Sequence, residues 1–440
     1  MELGAEVSPE RMRQLLQRIF LDTLQQISIP RVFSQKVDYS RGVLRVEQDL
    51  YDLSSFERVL VIAIGKAAHT MVESLVAQTG PTLQGIVCSV ANESHQPGFR
   101  YFTGGHPLPT DESISGAKAT LKAVSALNEH SLVIYLISGG ASAMVEVPCD
   151  EEISLDDLVE SYRVLVHSGA SISEINTIRK HLSAIKGGRL AQAAFPARQV
   201  SIMVSDVPEC SLDTLASGPT MPDSSTEADC YRIAEAYALP ARLPEKVRQI
   251  FDERALEETP KADDPTFVNS RWWPILSSAS AAKAAAALLT KDGFRVEIDN
   301  TPDDWPFDRA AERLLLRLRG IRGNEKPVAL VSAGEITVKV PNTGGAGGRN
   351  LHFALHCAQQ IGDERIAVLS AGTDGIDGNS PAAGAVVDGT SVARAGQAGL
   401  DVEGALKGFD SFPLLEKLGD AIVTGPTGNN VRDLRILLAY

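Results

Sequence analysis

Apolar residues recur along the chain in two rhythms, and their alternation predicts an α/β protein. After Ser8 and Pro9, which suit an N-cap and a first helical position, Met12, Leu15, Leu16, Ile19, Phe20 and Leu24 fall at helical spacing. Residues 59–64 instead form a short continuous apolar run that stops at Gly65-Lys66, before a helical stretch ending near Gly80. A run of this kind reads as a strand buried on both faces, as parallel sheets require. Similar units follow: a strand over 85–90, a helix over 112–128, and a strand over 132–137 that stops at Ser138-Gly139-Gly140-Ala141-Ser142. Helical patterns cover about 155–167 and 184–194, and a strand over 200–204 ends at Ser205-Asp206. Open parallel sheets bind ligands beyond the carboxyl ends of their strands, so Lys66, the 138–142 loop and Asp206 are expected on one rim.

The texture changes between about Pro240 and Trp273, where Pro240, Pro244, Pro260 and Pro265 accompany Glu257, Glu258, Asp263 and Asp264. A domain junction over 241–273 is predicted, separating residues 1–240 from a second α/β domain over 274–440. That second part reads as a helix over 280–291, a strand over 294–298, a helix over 308–319 and paired strands over 328–332 and 336–340, flanking Gly334-Glu335. A glycine-rich loop, a helix carrying Leu351, Ala354, Leu355 and Ala358, and a strand over 366–369 complete it. Trp272-Trp273-Pro274 reads as packing near the junction.

Composition narrows the function classes. A chain of 440 residues suggests two or three domains, and 44% hydrophobic residues suffice for their cores. Its 42 basic and 56 acidic residues give a net charge of −14, which argues against broad binding to nucleic acid or anionic membranes. An anionic ligand must therefore meet a local positive pocket. Cys88, Cys149, Cys210, Cys230 and Cys357 are widely spaced and odd in number, suggesting neither a disulfide framework nor a zinc cluster. A reducing cytoplasm fits, no apolar run reaches membrane-spanning length, and Glu2, Glu6, Glu10 and Asp22 are unlike a signal peptide.

The densest chemical signal is Asn342-Thr343-Gly344-Gly345-Ala346-Gly347-Gly348-Arg349-Asn350. Glycines let backbone N–H groups converge, a following helix adds its positive end, and the guanidinium adds a fork of donors. The stretch reads either as an anion cradle or as a flexible hairpin. Lys66 is a phosphate contact or a solvated surface lysine, and Ser138-Gly139-Gly140-Ala141-Ser142 is a donor loop or a tight turn. Asp206 is a Mg²⁺ ligand, a hydroxyl-orienting group or a cap, while Asp374 and Asp377 are ion ligands or turn residues. His352 and His356 stand four apart, the zinc spacing on a helix, without an obvious third ligand. The chain carries no Gly-x-x-x-x-Gly-Lys-[Ser/Thr] loop, no Gly-x-Gly-x-x-Gly fingerprint and no Gly-x-Ser-x-Gly elbow.

Taken together, the strings resemble the type II glycerate kinases, the glycerate 2-kinase family with a C-terminal MOFRL domain. The likeness runs through Gly65-Lys66-Ala67-Ala68, Gly105-His-Pro-Leu-Pro109, Ser138-Gly-Gly-Ala-Ser-Ala143, Asn176-Thr-Ile-Arg-Lys-His-Leu-Ser183, Lys186-Gly-Gly-Arg-Leu-Ala191, Ser205-Asp-Val207 and Ser217-Gly-Pro-Thr220. It continues through Gly347-Gly-Arg-Asn350, Ser370-Ala-Gly-Thr-Asp-Gly-Ile-Asp-Gly378, Ala383-Gly384 and Thr424-Gly-Pro-Thr-Gly428. The resemblance implies a Rossmann-like N-terminal domain with a largely parallel sheet, a MOFRL-like α/β domain, and a site in the cleft between them. It implies ATP-dependent phosphorylation of D-glycerate at the 2-hydroxyl with Mg²⁺, and it allows a homodimer. The family's catalytic lysine falls on Lys66 and its arginine on Arg349. Ser138, Gly139, Gly140, Ser142, Glu335, Gly345, Gly347, Gly348 and Asn350 become candidates for holding nucleotide or substrate, and Asp206, Asp374 and Asp377 for metal.

Three stretches depart from the family pattern. Ser-Asp-Val-Pro-Gly-Asp-Asp is here Ser205-Asp-Val-Pro-Glu-Cys-Ser211, Asn-Gln-Glu is Asn350-Leu-His352, and Thr-Asn-Val-Asn is Asn429-Asn-Val-Arg432. These bear on metal binding, substrate choice and rate, and the altered Glu209-Cys210-Ser211 leaves a catalytically weakened nucleotide-binding protein as an alternative. The α/β pattern and the small hydroxyacid substrate class leave an NAD(P)H-dependent hydroxypyruvate reductase as another, against which the missing dinucleotide fingerprint weighs.

Overall fold

The structure is a computed structural model that describes residues 8–91, 94–323, 327–341 and 344–440, with only the backbone described at Glu209 and Cys210. Glu2, Glu6, Asn342, Thr343 and the side chains of Glu209 and Cys210 therefore lie outside the described residues. The chain forms two compact α/β units, one Val32–Ile275, the other joining the segment up to Arg31 to Leu276–Tyr440.

In the first unit, six strands form one sheet in the order Phe99–Thr103, Gln84–Ser89, Arg58–Ile64, Ser131–Ser138, Arg198–Val204, Ser270–Leu276. From Phe99–Thr103 to Arg198–Val204 the pairings are all parallel. Every residue of Ser131–Ser138 is buried, which is why these strands read as continuous apolar runs. The chain moves outward from Arg58–Ile64 to Gln84–Ser89 and Phe99–Thr103, then returns to the other side of Arg58–Ile64 to lay down Ser131–Ser138. That reversal makes a topological switch point at the carboxyl ends of Arg58–Ile64 and Ser131–Ser138, where open α/β sheets take their ligands.

The second unit has a mixed sheet in the order Arg295–Ile298, Val328–Ala333, Asp433–Ala439, Ile366–Gly372, Gly384–Asp388, Ala421–Ile422. Asp433–Ala439 runs antiparallel to both of its neighbours, so its first two residues meet their last ones, Asp433 opposite Gly372 and Leu434 opposite Ala333. Helices Pro9–Gln26 and Ser278–Lys291 cover one face, and Phe307–Ile321 and Arg349–Gln360 pack against the other.

Several expectations need correction. Residues 328–332 and 336–340 do not pair: Val328–Ala333 already has a strand on each edge, and Ile336–Thr337 pairs with Trp305–Pro306 instead. The expected helix over 184–194 shortens to Arg189–Ala194, because Gly187 and Gly188 take left-handed φ of 57° and 83°. The stretch read as a junction is folded: helix Glu245–Asp252 buries Val247, Ile250 and Phe251 in a cluster with Leu158, Leu165 and Ile233. Pro240 and Pro265 start elements rather than break them, each opening a short 3₁₀ turn. Ser8 caps the first helix as expected, accepting from the Arg11 N–H, but that helix packs in the second unit. Trp272 and Trp273 are packing residues, their indole N–H groups donating to the Thr220 carbonyl and to Asp49. Among the described residues no helix is long and apolar enough to cross a membrane.

Candidate active site

At the switch point of the first unit, Gly65 ends its strand with φ of 117° and turns the chain so that Lys66 is exposed at the rim. A Cβ at Gly65 would stand 2.4 Å from the Ser138 carbonyl oxygen, so the two loops meet only because this position is glycine. The contact is bonded on both sides, the Lys66 N–H donating to Gly139 O at 3.0 Å and the Ala67 N–H to Ser138 Oγ at 3.0 Å. A Cβ at Gly139 would strike Asp206 Oδ2 at 1.9 Å, which sets Asp206 directly against the same loop. The structure thus brings Lys66, residues 138–142 and Asp206 together as expected. Ser138 is buried and its Oγ is taken by the Lys66 turn, while Ser142 Oγ lies 2.9 Å from Ser217 Oγ. The Lys66 ammonium has no ion pair among the described residues.

A neighbour that the sequence reading gave no role stands beside it. The loop after Phe99–Thr103 is pinned by the Gly104 N–H to Ser89 O and the Gly105 N–H to Ser113 Oγ, and it carries His106 back to the switch point. A Cβ placed at Gly140 would lie 3.0 Å from Lys66 Cγ, 3.1 Å from Lys66 Cε and 3.3 Å from His106 Cδ2.

In the second unit the sheet edge gathers Glu335, Arg349, Asp374 and Asp433. Arg349 opens helix Arg349–Gln360 and forms a forked pair with Asp433, Nε to Oδ2 at 2.6 Å and Nη2 to Oδ1 at 2.9 Å. Its Nη2 also lies 3.1 Å from Glu335 Oε1. Burial works against the charge of Arg349, but Asp433 and Glu335 outweigh it and hold the guanidinium more firmly protonated than usual. Asp433 was missed by the sequence reading; its signal is an acidic residue heading the stretch 434–439, apolar except for Arg435.

The glycine loop is tied down rather than open. The N–H groups of Gly344, Gly345, Ala346 and Gly347 donate to Pro341 O, Gly408 O, Asp410 Oδ1 and Asn379 Oδ1. Among the described residues only the Gly348 and Arg349 N–H groups of this stretch are unspent, so the cradle narrows to the helix start. Its glycines are needed for close approach: a Cβ would meet Asp410 at 2.4 Å from Gly345 and Asp377 at 2.3 Å from Gly348. A cavity of about 420 Å³ opens here, walled by Val338, Val340, Pro341, Phe409, Gly348 and Arg349.

Asn350 and Asp377 are bonded to one another at the start of the helix. Asn350 is fully buried between Ser370 Oγ, which donates to its Oδ1 at 2.6 Å, and Asp377. Asp377 is 2% exposed, and its oxygens accept the Asn350 and Leu351 N–H groups at 3.1 and 2.8 Å, so it caps the helix. Burial pushes its carboxyl up to about 7 against the pull of those N–H groups. Asp374 is part-buried and raised for the same first reason, with Oδ1 accepting from the Ile376 N–H at 3.1 Å. No group of three His, Cys, Asp or Glu side chains that could hold a metal ion occurs among the described residues. His352 and His356 pack as aromatics: His352 lies 4.6 Å from both Phe307 and Phe409, and burial lowers it to about 4. His356 pairs with Gln360.

The family description "Domain of unknown function (DUF4147)" matches residues 15–252, and the MOFRL family matches residues 328–433. The chain is 37% identical to the D-glycerate 2-kinase of Thermotoga maritima over 87% of its own length and 91% of that protein. It is 36% identical to a protein of Agrobacterium vitis provisionally named hydroxypyruvate reductase, over 87% of each. The crystal structure of a glycerate kinase from Thermotoga maritima superposes with a TM-score of 0.85 at 34% identity, covering 98% of this chain and 100% of that one. The chain, with its DUF4147 and MOFRL regions, belongs to the glycerate 2-kinase family.

Proposed function

We propose that this protein transfers the γ-phosphoryl group of ATP to D-glycerate at its 2-hydroxyl, giving 2-phospho-D-glycerate and ADP. The observation that carries the reading is Lys66, an unpaired cation among the described residues, held at the switch point of a parallel sheet by a turn that tolerates only glycine at Gly65 and Gly139. The names of its relatives supply the substrate. Phosphoryl transfer asks a protein for positioning and charge stabilisation more than for covalent chemistry. Lys66 offsets charge developing on the transferred group, and Arg349, oriented by Asp433, binds the glycerate carboxylate or the phosphoryl oxygens with its remaining donors. Mg²⁺ arriving on the ATP phosphates would need only one or two protein carboxylates. Asp206, set against the Lys66 loop, is the carboxylate assigned to it, and Asp377 is left to its helix. The metal supplies charge neutralisation on the phosphates. A cytoplasmic setting, where ATP is plentiful, fits the reading.

The test is ADP release on adding D-glycerate, with phosphorus NMR of the product to fix the hydroxyl used. Removing an electrostatic group of this kind costs about 10²–10³ in turnover, the fall expected for Lys66→Ala. Near-normal turnover in that variant would sink the role of Lys66. The name of the Agrobacterium relative favours a second reading, reduction of hydroxypyruvate. NADH oxidation with hydroxypyruvate, without ADP release from ATP and D-glycerate, would establish that reading instead.

A further inference from the structure

We infer that His106 is the general base of the transfer, taking the proton of the attacking glycerate hydroxyl beside Lys66. The inference rests on the kinase reading and adds a residue to it. His106 and Lys66 belong to loops 40 residues apart, yet His106 Cδ2 and Lys66 Cε both fall within 3.3 Å of one point above Gly140. The loop is fixed from below through Gly104 and Gly105, so the ring is delivered to the switch point by bonded backbone. Neither ring nitrogen has a hydrogen-bond partner among the described residues, and the residue is exposed at the rim. A side chain placed for packing alone would be covered; this one leaves a nitrogen for a bound hydroxyl.

The charges around it favour the accepting form. Partial burial and the neighbouring Lys66 ammonium both lower His106 below its ordinary value, so the imidazole is neutral at neutral pH. Asp206 stands across Gly139, and Asp111 and Glu112 open the helix that follows the loop. In the step itself the O–H bond of the hydroxyl breaks and its proton passes to an imidazole nitrogen. The hydroxyl oxygen bonds to the γ-phosphorus, and the bond from that phosphorus to the bridging oxygen breaks to release ADP. The imidazolium then returns its proton to solvent.

The test compares the unmodified chain with His106→Gln and His106→Ala, using ATP and D-glycerate from pH 5 to 9. Expected for His106→Gln are a 10²–10⁴-fold lower kcat, KM values for both substrates within threefold, and loss of the acidic limb of the rate profile. Added imidazole should restore His106→Ala at least tenfold, following the neutral imidazole concentration. A kcat for His106→Gln within fivefold of the unmodified chain, or a slowed His106→Ala that imidazole leaves unchanged, would overturn the assignment. An unmodified chain that releases no ADP with D-glycerate overturns the kinase reading itself, so the two failures are distinguishable.

Discussion

Arg349 owes its orientation to a carboxylate that solvent does not reach. The Asp433 side chain is fully buried while that of Arg349 keeps 35% of its surface exposed, so their pair stands between a surface ion pair and a buried one. Surface pairs contribute about 0–1 kcal/mol and breaking buried ones costs about 3–5 kcal/mol, so Asp433→Asn should lose about 1–3 kcal/mol in urea unfolding. It should also lower kcat at least tenfold, because the fork that aims the guanidinium is gone. Unchanged kcat with lowered stability would make Asp433 structural only. Arg349→Ala leaves Asp433 without its forked partner and confounds the two effects, so Arg349→Lys is the cleaner probe: it keeps the charge and loses the fork. Arg349 was legible because glycines and a helix pattern surround it. Asp433 was not, since one carboxylate among 56 acidic residues gains meaning only when antiparallel pairing puts the head of its strand beside Gly372.

Helix Arg349–Gln360 shows the same division at the scale of an element. Its glycine-rich approach suggested an open nest, but sequence spacing does not reveal which N–H groups find partners in Gly408, Asp410 and Asn379. What the glycines do is admit neighbours. Gly348→Ala puts a Cβ 2.3 Å from the Asp377 carboxyl carbon, a clash that should cost about 1–3 kcal/mol by thermal unfolding and weaken the cap. Asp377 also gives the element a pH dependence. Its folded value, about 7, lies above the roughly 3.9 of an unfolded aspartate, so between these values the native state holds a proton that the unfolded chain has released. Its contribution is therefore fully present below about pH 4 and is lost as pH rises through 7. Asp377→Asn should accordingly show a smaller fall in Tm from pH 5 to pH 8 than the unmodified chain. An equal or steeper fall would place the titration elsewhere. The strand expected over 366–369, by contrast, forms and runs on to Gly372 before the turn, because an apolar run ending in Gly and Asp is a strand-then-turn pattern.

For the whole molecule, the alternation of strands and helices was enough to announce two α/β units, whereas their membership was hidden. Linear reading assigned the first helix to the first unit, yet Pro9–Gln26 folds with the second, burying Met12, Leu15, Leu16, Ile19, Phe20 and Leu24. Arg13 adds ion pairs to Asp388 and Asp420 of that unit, and Asn429 Nδ2 donates to Leu24 O at 3.2 Å. A helical stripe records that a surface must be covered and carries no address for it; the address lies in elements far along the chain, Ser278–Lys291 and Ile366–Gly372 among them. The energetic consequence is large. Each such side chain contributes about 1.5–3 kcal/mol on burial, so the helix as a whole is comparable with the ~5–15 kcal/mol net stability of a domain. Expressed as residues 276–440 alone, the second unit should expose the uncovered sheet face, bind a hydrophobic dye and aggregate. Fusing residues 8–31 ahead of it through a flexible linker should restore a soluble, cooperatively melting unit, while residues 32–275 should fold without that helix. A stable, dye-negative 276–440 fragment would show that the helix is dispensable and that the boundary first read near residue 240 describes the folding units better.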